Sequence, residues 1–193
     1  MGENARLFQE HVDEILTATE GGATSRDPEV VQSWLRCIND HSLDPEHKGE
    51  ARIVTEAVLK EHQQEAEDLL TTARFGMEDL YRRVNSMGYV LLLTDEKGVT
   101  VDFIGDEKVD RQLKRAGLYI GSEWSEGNAG TCGIGACLSS GEPITIHQTD
   151  HFDMAHTPLS CTAAPIYRSN GKLMGVLDVS LLVSSSEKCS QAL

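Results

Sequence analysis

The pattern of apolar residues divides the chain into a helical first part and a mixed second part. Apolar side chains recur at helical spacing until Gly21-Gly22 stops them, so residues 4–20 are predicted to form a helix. Asp27-Pro28 is a helix start signal, because Asp caps free N–H groups and proline suits the first helical position. A short second helix, with Trp34 on its apolar face, is therefore expected to follow.

A further run of apolar residues at helical spacing extends from Ala51 to Val84. One helix of that length would measure roughly 50 Å, which is longer than a small domain is wide. Part of it would then pack outside its own domain, and a helical pair in a homodimer is the interpretation we prefer. Because Lys60–Asp68 is nearly all polar, a break near His62 that gives two shorter helices remains an alternative.

After Ser86 the apolar residues alternate with a period of two, which is typical of strands. The run Tyr89–Leu93 is wholly apolar, as expected of a central strand that is covered on both faces. The predicted strands are 89–93, 99–103, 144–147, 159–167 and 173–181, and the predicted helices between them are 106–116 and 134–140. This order indicates an α+β fold, in which helices flank an antiparallel sheet.

Composition and charge exclude several classes of partner. The 193 residues are 39% hydrophobic and 25% charged, as in an ordinary globular protein. Because 17 basic residues face 31 acidic ones, the formal net charge is −14, and we expect no direct contact with nucleic acid. No apolar run reaches the length of about 18 residues that a spanning helix needs, and residues 1–10 lack signal-peptide features. We therefore expect no membrane contact and a cytoplasmic location.

Three segments of the second part resemble a GAF domain: Gly130–Gly135 (GTCGIG), Ser160–Ile166 (SCTAAPI) and Gly175–Ser180 (GVLDVS). Their combination is similar to the sensory region of sigma-54-dependent bacterial activators of the acetoin-catabolism regulator family. In the leading helices of that family, Ser33–Cys37 also has a counterpart. The resemblance implies that a small organic effector binds the domain and controls a downstream ATPase domain of the same full-length protein.

One departure from that family bears on the effector. Many relatives have Thr-Asn-x-Ile-Gly-Thr-Ala-Leu, whereas Thr131–Leu138 reads Thr-Cys-Gly-Ile-Gly-Ala-Cys-Leu here. The identity of the effector is therefore not carried over from the acetoin regulator.

Patterns and resemblance together divide the chain into four parts. These are N-terminal helices that serve dimerisation (1–50), a long connecting helix (51–85), a GAF-like sensory domain (86–183) and a linker to a downstream domain (184–193). The chain has no Walker A motif and no basic helix-turn-helix, so ATPase and DNA-binding domains are expected outside it.

The effector pocket of such a sensor is expected between the sheet and the segments that cover it. The expected lining residues are Trp124, Cys132, Ile144, Phe152, His156 and Cys161, with Asn128 and Thr162 as hydrogen-bonding groups. Trp124 could equally anchor the glycine-rich loop 121–133 by packing alone. Asp178, in an apolar strand, could be an effector ligand, but we prefer the interpretation that it accepts hydrogen bonds from nearby backbone N–H groups.

A metal site is a further hypothesis. The candidate ligands are Cys132, Cys137, His151, His156 and Cys161, because thiolates and imidazoles suit Zn or Fe. On a regular helix, however, Cys132 and Cys137 would point about 140° apart. We therefore expect no cofactor. The remaining cysteines, Cys37 and Cys189, complete an odd set without a CxxC pair, which favours reduced thiols.

The alternative function is enzymatic. Gly130–Gly133 followed by Cys161 is similar to the cysteine pattern of free-methionine-sulfoxide reductases, which are also GAF domains. A thiol at a helix N-terminus would have its pKa lowered by the helix dipole, which makes Cys132 a plausible nucleophile and Cys161 a resolving thiol. The sequence Thr-Ala-Ala-Pro after Cys161 lacks the acidic and hydroxyl residues that such a substrate needs, so we expect no enzyme.

Overall fold

Five antiparallel strands form one sheet in a computed structural model, which describes residues 2–46, 51–105 and 110–182. The strands are β1 (Tyr89–Asp95), β2 (Thr100–Ile104), β3 (Ile144–His147), β4 (Leu159–Tyr167) and β5 (Leu173–Leu182), in the order β2-β1-β5-β4-β3. The helices are α1 (Glu3–Thr19), α2 (Pro28–Asn39), α3 (Glu56–Glu65), α4 (Glu67–Val84), α5 (Asp110–Arg115), α6 (Glu126–Ala129) and α7 (Gly133–Ser140). The predicted α+β fold with an antiparallel sheet and flanking helices is confirmed.

One face of the sheet packs against α4. Leu91 and Leu93 of β1 contact Leu69 and Met77 of this helix, and all four side chains are buried. Val90 and Leu92 of β1 belong to a second core on the other side of the sheet. The prediction that β1 is a strand covered on both faces is therefore confirmed.

The continuous helix predicted from Ala51 to Val84 is wrong. Helix α3 begins only at Glu56, where the Thr55 side chain accepts a hydrogen bond from the Val58 N–H, and the helical path is interrupted at Ala66. The two helices have different attachments: the His62 ring of α3 bonds Asp95 at the end of β1, whereas α4 lies on the sheet. The interruption lies four residues from the alternative break at His62.

The opposite face of the sheet is covered by the segment from α5 to α7 and by the loop 148–158. Trp124, Cys132 and Ile134 of the cover pack against Leu92 and Cys161 of the sheet. Residues 106–109 of the helix predicted over 106–116 lie outside the described residues, as does Cys189.

The N-terminal helices pack on this cover. Ile15 of α1 and Trp34 of α2 are fully buried in one cluster with Ile146 and Phe152. Asp27 caps α2 through the Glu29 N–H, as predicted. These apolar faces are buried against other parts of the same chain. The dimerisation that we expected of residues 1–50 stays a prediction. Among the described residues, no helix is both long enough and apolar enough to cross a membrane.

Candidate functional site

Two buried aromatic rings face each other under the cover of the sheet. Trp124 is held in an extended segment by a hydrogen bond from its N–H to the Gly98 carbonyl. His156 ends the 3-10 turn Met154–His156, which Asp153 caps. The ring centroids lie 5.2 Å apart. Neither the Trp124 Nε1 nor the His156 Nδ1 atom has a hydrogen-bond partner, although both are buried.

The rings line a cavity of about 10 Å³, which is room for one water-sized group. Four of its lining residues, Arg52, Asn128, Ala129 and Asp153, also line an open surface cleft of about 470 Å³. Three of these side chains are charged or polar, and Asn128 accepts from Arg52 Nη1 at 3.1 Å. The small inner cavity and the larger cleft therefore adjoin each other at this wall.

Burial keeps the two histidines of the covering loop neutral. Desolvation lowers the pKa of His156, and the Ala129 carbonyl beside its ring opposes that shift. Desolvation also lowers the pKa of His151 to about 3. Because His151 Nδ1 lies 2.9 Å from the Gln148 carbonyl oxygen, which can only accept, Nδ1 carries the single proton of this ring.

A buried carboxyl group lies at the sheet end of the same core. Asp178 is 1% exposed, and its Oδ2 is 2.5 Å from Ser180 Oγ, while its Oδ1 has no partner. The expectation that Asp178 accepts from backbone N–H groups is therefore wrong, because its one hydrogen-bond partner among the described residues is a side chain. Desolvation raises the pKa of Asp178 to about 7.

The four cysteine thiols within the described residues are free and buried. Cys132 is the N-cap of α7 and accepts from the Gly135 N–H at 3.3 Å, as the helix-terminus argument requires. Desolvation nevertheless outweighs that hydrogen bond and raises the pKa of Cys132, so the predicted lowering is wrong. Burial raises the pKa of Cys37 and of Cys137 to about 12, and raises the pKa of Cys161 as well.

The structure brings only part of the predicted site together. Trp124, Cys132, His156 and Cys161 lie in or beside one core, and Ile144 packs at its edge. Phe152 packs against the N-terminal helices and also lines the open cleft.

Of the two predicted hydrogen-bonding residues, Asn128 lies at the wall of the cavity and the cleft, whereas Thr162 lies elsewhere. Thr162 is exposed on the opposite face of the sheet and pairs with Thr145, because neighbouring residues of a strand alternate between faces. Asn128 is exposed at the cleft, where Glu123 and Ser125 accept from its amide.

A metal site finds no support in the geometry. Within residues 2–46, 51–105 and 110–182, no three His, Cys, Asp or Glu side chains are grouped so that they could hold a metal ion. Of the candidate ligands, His151 Nε2 and Cys161 Sγ lie 3.5 Å apart, a hydrogen-bond distance.

Sequence reasoning missed the contacts between the site and the N-terminal helices. Glu126 is 3% exposed, and its carboxylate accepts from the Ser33 hydroxyl, from Nε and Nη2 of Arg36, and from the Ser139 hydroxyl. The available signal was the pair Ser33 and Arg36, three residues apart on one face of α2. Glu126 begins α6, which is next to Trp124, so this network joins α2 to the wall of the site.

Comparisons with known proteins agree on one family. A model described as GAF domain matches residues 56–190. The chain is 44% identical to the acetoin catabolism regulatory protein of Cupriavidus necator, over 96% of this chain and 29% of that protein. It is 30% identical to the acetoin dehydrogenase operon transcriptional activator AcoR of Bacillus subtilis, over 78% of this chain and 25% of that protein. The chain thus spans less than a third of these relatives.

A solved structure shares the fold. The crystal structure of the E. coli DhaR(N)-DhaL complex aligns with a TM-score of 0.74 and 21% identity, over 86% of this chain and 58% of that chain.

Proposed function

This chain belongs to the GAF domain family, and on that premise we propose that it senses a small neutral effector and regulates a transcriptional activator. The observation that carries the proposal is the pair of unpartnered atoms, Trp124 Nε1 and His156 Nδ1, on one buried cavity. Buried polar atoms without partners are rare in native proteins and have a cost, which a bound ligand would remove.

The chemistry of the pair indicates the kind of group that binds. An indole N–H can only donate. The His156 ring is neutral and therefore has one N–H group. The Ala129 carbonyl beside the ring accepts from that group, so the unpartnered Nδ1 atom is left as an acceptor. A hydroxyl group fits between them, since it accepts from Trp124 and donates to His156. Burial disfavours a charged ligand at this position.

The adjoining cleft supplies the remaining space. The inner cavity holds little more than one polar group, whereas the cleft is large enough for the rest of a small molecule. We propose that the effector places its hydroxyl group inside and displaces the wall formed by Arg52 and Asn128. Because two relatives are named for acetoin, a neutral hydroxyketone, acetoin is the first probe.

Tryptophan fluorescence tests the site directly, since the chain has two tryptophans. Acetoin binding should change the tryptophan emission of the wild type, and at saturating acetoin this change should be absent in Trp124→Phe, which leaves Trp34 and its bond to Asp150 in place. We expect Trp124→Phe and His156→Ala to weaken acetoin binding about tenfold or more, since each leaves one partner unsatisfied. In these variants binding is measured by calorimetry.

Thr162→Val is the matched control, because Thr162 lies on the opposite face of the sheet. It should bind acetoin as the wild type does. If neither acetoin nor butane-2,3-diol binds, if diacetyl, which has no hydroxyl group, binds as tightly as they do, or if His156→Ala binds equally well with unchanged melting, this site is not the effector site.

The wider role belongs to the full-length protein. We propose that the chain is the sensory part of a cytoplasmic sigma-54-dependent activator, in which effector binding controls a downstream ATPase domain. The similarity to whole transcriptional regulators supports this role. We also propose that the chain forms a homodimer. Effector-dependent ATP hydrolysis by the full-length protein, abolished together with binding in His156→Ala, is the expected result.

A further inference from the structure

We propose that Asp178, Ser180, Cys161 and His151 form one directional hydrogen-bond relay that carries the protonation state of Asp178 to the loop of the effector site. This inference rests on the proposed effector site for its functional meaning, but its geometry does not depend on any ligand. The four side chains are all 5% exposed or less.

The direction of the relay is set at the Gln148 carbonyl oxygen. This oxygen only accepts, so His151 Nδ1 donates to it and the neutral ring leaves Nε2 as an acceptor. Cys161 Sγ lies 3.5 Å from Nε2 and must supply the hydrogen of that contact. The Cys161 thiol therefore has no hydrogen left for Ser180.

Ser180 of β5 links the Cys161 thiol to the Asp178 carboxyl group. Ser180 Oγ lies 3.1 Å from Cys161 Sγ, so the Ser180 hydroxyl donates to the sulfur. The contact of 2.5 Å between Ser180 Oγ and Asp178 Oδ2 then needs a proton from the carboxyl group. Each of the four contacts contains a hydrogen only when Asp178 is in its acid form. An ionised Asp178 takes the Ser180 hydrogen and leaves the contact between Ser180 and Cys161 without one.

The relay ends in a loop that is conformationally constrained. Gln148 has φ 48°, a left-handed conformation that residues other than glycine rarely adopt, and its carbonyl oxygen accepts from both the backbone N–H and the Nδ1–H of His151. His151 lies beside His156, with ring centroids 6.2 Å apart. The same loop thus bears the last acceptor of the relay and one ring of the effector site. An intact relay holds His156 in place, so the acid form of Asp178 favours binding.

The surroundings of Asp178 leave it as the group that titrates near neutral pH. The titratable side chains that act on it are Cys132 and Cys137, at the start of α7 and within it, and Cys161 of β4. Burial raises the pKa of all three thiols, so they are neutral when Asp178 ionises. From β1 the residue opposite Asp178 is Leu92, which does not titrate. At the far end, burial lowers the pKa of both His151 and His156.

The relay is tested first without ligand, by the NMR signal of the His151 Nδ1–H proton. We expect its chemical shift to titrate with a midpoint at about 7 in the wild type, because ionisation of Asp178 changes every later contact. The titration should disappear in Asp178→Asn and in Ser180→Ala. Ser139→Ala, which removes an exposed hydroxyl that donates to Glu126 outside the relay, is the control and should keep the wild-type titration. A wild-type signal that does not move, or a titration that survives Ser180→Ala, overturns the proposal.

Acetoin affinity then tests the coupling. Affinity of the wild type should fall toward tenfold per pH unit above the midpoint, as linkage requires. Asp178→Asn keeps a donor toward Ser180 and an acceptor at Oδ1, so it should bind at all pH values with little pH dependence. Absence of binding at every pH contradicts the effector site, whereas binding with equal pH dependence in both proteins contradicts the relay. The two failures are thus distinct.

Discussion

The indole Nε1 of Trp34 donates a hydrogen bond of 2.9 Å to the backbone carbonyl of Asp150. This bond joins the core of the N-terminal helices to the loop that bears His151 and His156. Arg26 binds the Asp150 side chain, and His11 Nε2 lies 3.2 Å from the Phe152 carbonyl oxygen. The N-terminal helices and the effector site therefore share one loop. We expect a conformational change in one of them to alter the conformation of the other.

Loss of the Glu126 carboxylate should destabilise the fold strongly. Glu126→Ala leaves the half-buried Arg36 guanidinium without its carboxylate acceptor and leaves the buried Ser33 hydroxyl with Thr131 Oγ1 as its partner. Breaking a buried pair in this way costs about 3 kcal/mol of unfolding free energy. Urea unfolding of the variant and the wild type measures the difference. Arg168→Ala, which breaks an exposed pair with Asp68, is the control and should cost about 0.5 kcal/mol or less.

The family and the sheet could be predicted because local signals carry them. The segments around Gly130, Ser160 and Gly175 identified a GAF domain, and the strands were placed by alternation in β2 and β3 and by the Asn170-Gly171 turn between β4 and β5. The interruption at Ala66 was not predictable, because it depends on where His62 and Gln63 find partners in the sheet. Helical spacing is the same on both sides of such a break.

The site was predictable only by residue type. Trp124, His156 and Cys161 were expected to line it, and they do lie in or beside one core. Thr162 was misplaced by a single residue of strand register, which reverses the face of the sheet. Phe152 lines the cleft and also packs against the N-terminal helices, and this second contact has no local signature in the sequence. Val176, Asp178 and Ser180 occupy every second position of β5 and therefore share its inward face. This spacing could have indicated a buried polar pair.

The carboxyl group of Asp178 should make stability fall as pH rises. Its pKa is raised from 3.8 to about 7, so the folded state binds its proton more tightly than the unfolded state does. The resulting stability is fully present below 3.8 and is lost as pH rises through about 7. Burial lowers the pKa of His151 to about 3, which acts in the opposite direction between 3 and 6.5.

The Asp178→Asn variant separates these opposing effects. The difference in unfolding free energy between wild type and variant should decline by about 1.4 kcal/mol per pH unit between pH 4 and 7. Urea unfolding at several pH values measures this slope. A constant difference across that range would mean that Asp178 ionises as it does in the unfolded chain.

Two glycines on different helices should respond oppositely to alanine. A Cβ on Gly133 would lie 2.9 Å from Cys161 Cβ and 3.0 Å from Asp178 Oδ1, so the core must shift. We expect Gly133→Ala to cost about 1–3 kcal/mol. A Cβ on Gly76 of α4 meets nothing within 4 Å, so Gly76→Ala should stabilise by about 0.5–1 kcal/mol. Thermal melting ranks the two, and equal melting temperatures would contradict the tight approach at Gly133.

The exposed face of α4 offers the surface for the proposed homodimer. Phe75 is 76% exposed on the ridge of this helix. Grooves of about 400 and 660 Å³ flank the ridge, the first lined by Leu70 and Val101 and the second by residues of the β4–β5 hairpin. A ridge between grooves is the shape that packs against a second helix.

Charge along α4 favours an antiparallel pair of copies. Asp68 and Arg82 lie seven residues before and after Phe75, so both share its face. When two copies cross at Phe75 in opposite directions, Asp68 of each lies opposite Arg82 of the other. A twofold axis at Phe75 places both of these pairs at once, in addition to the exposed pairs that Asp68 makes with Arg168 and Arg82 with Asp79 inside each copy.

Light scattering at tens of micromolar should therefore give about twice the chain mass of 21.2 kDa. Phe75→Glu should give the monomer, because it places two like charges at the crossing point. Met87→Glu changes an equally apolar but differently placed exposed residue, 58% exposed, and should leave the dimer intact. Asp68→Arg and Arg82→Asp should each weaken the dimer through like-charge pairs, and the double variant should restore it. A wild-type monomer, or single charge variants with unchanged association, would rule out this arrangement.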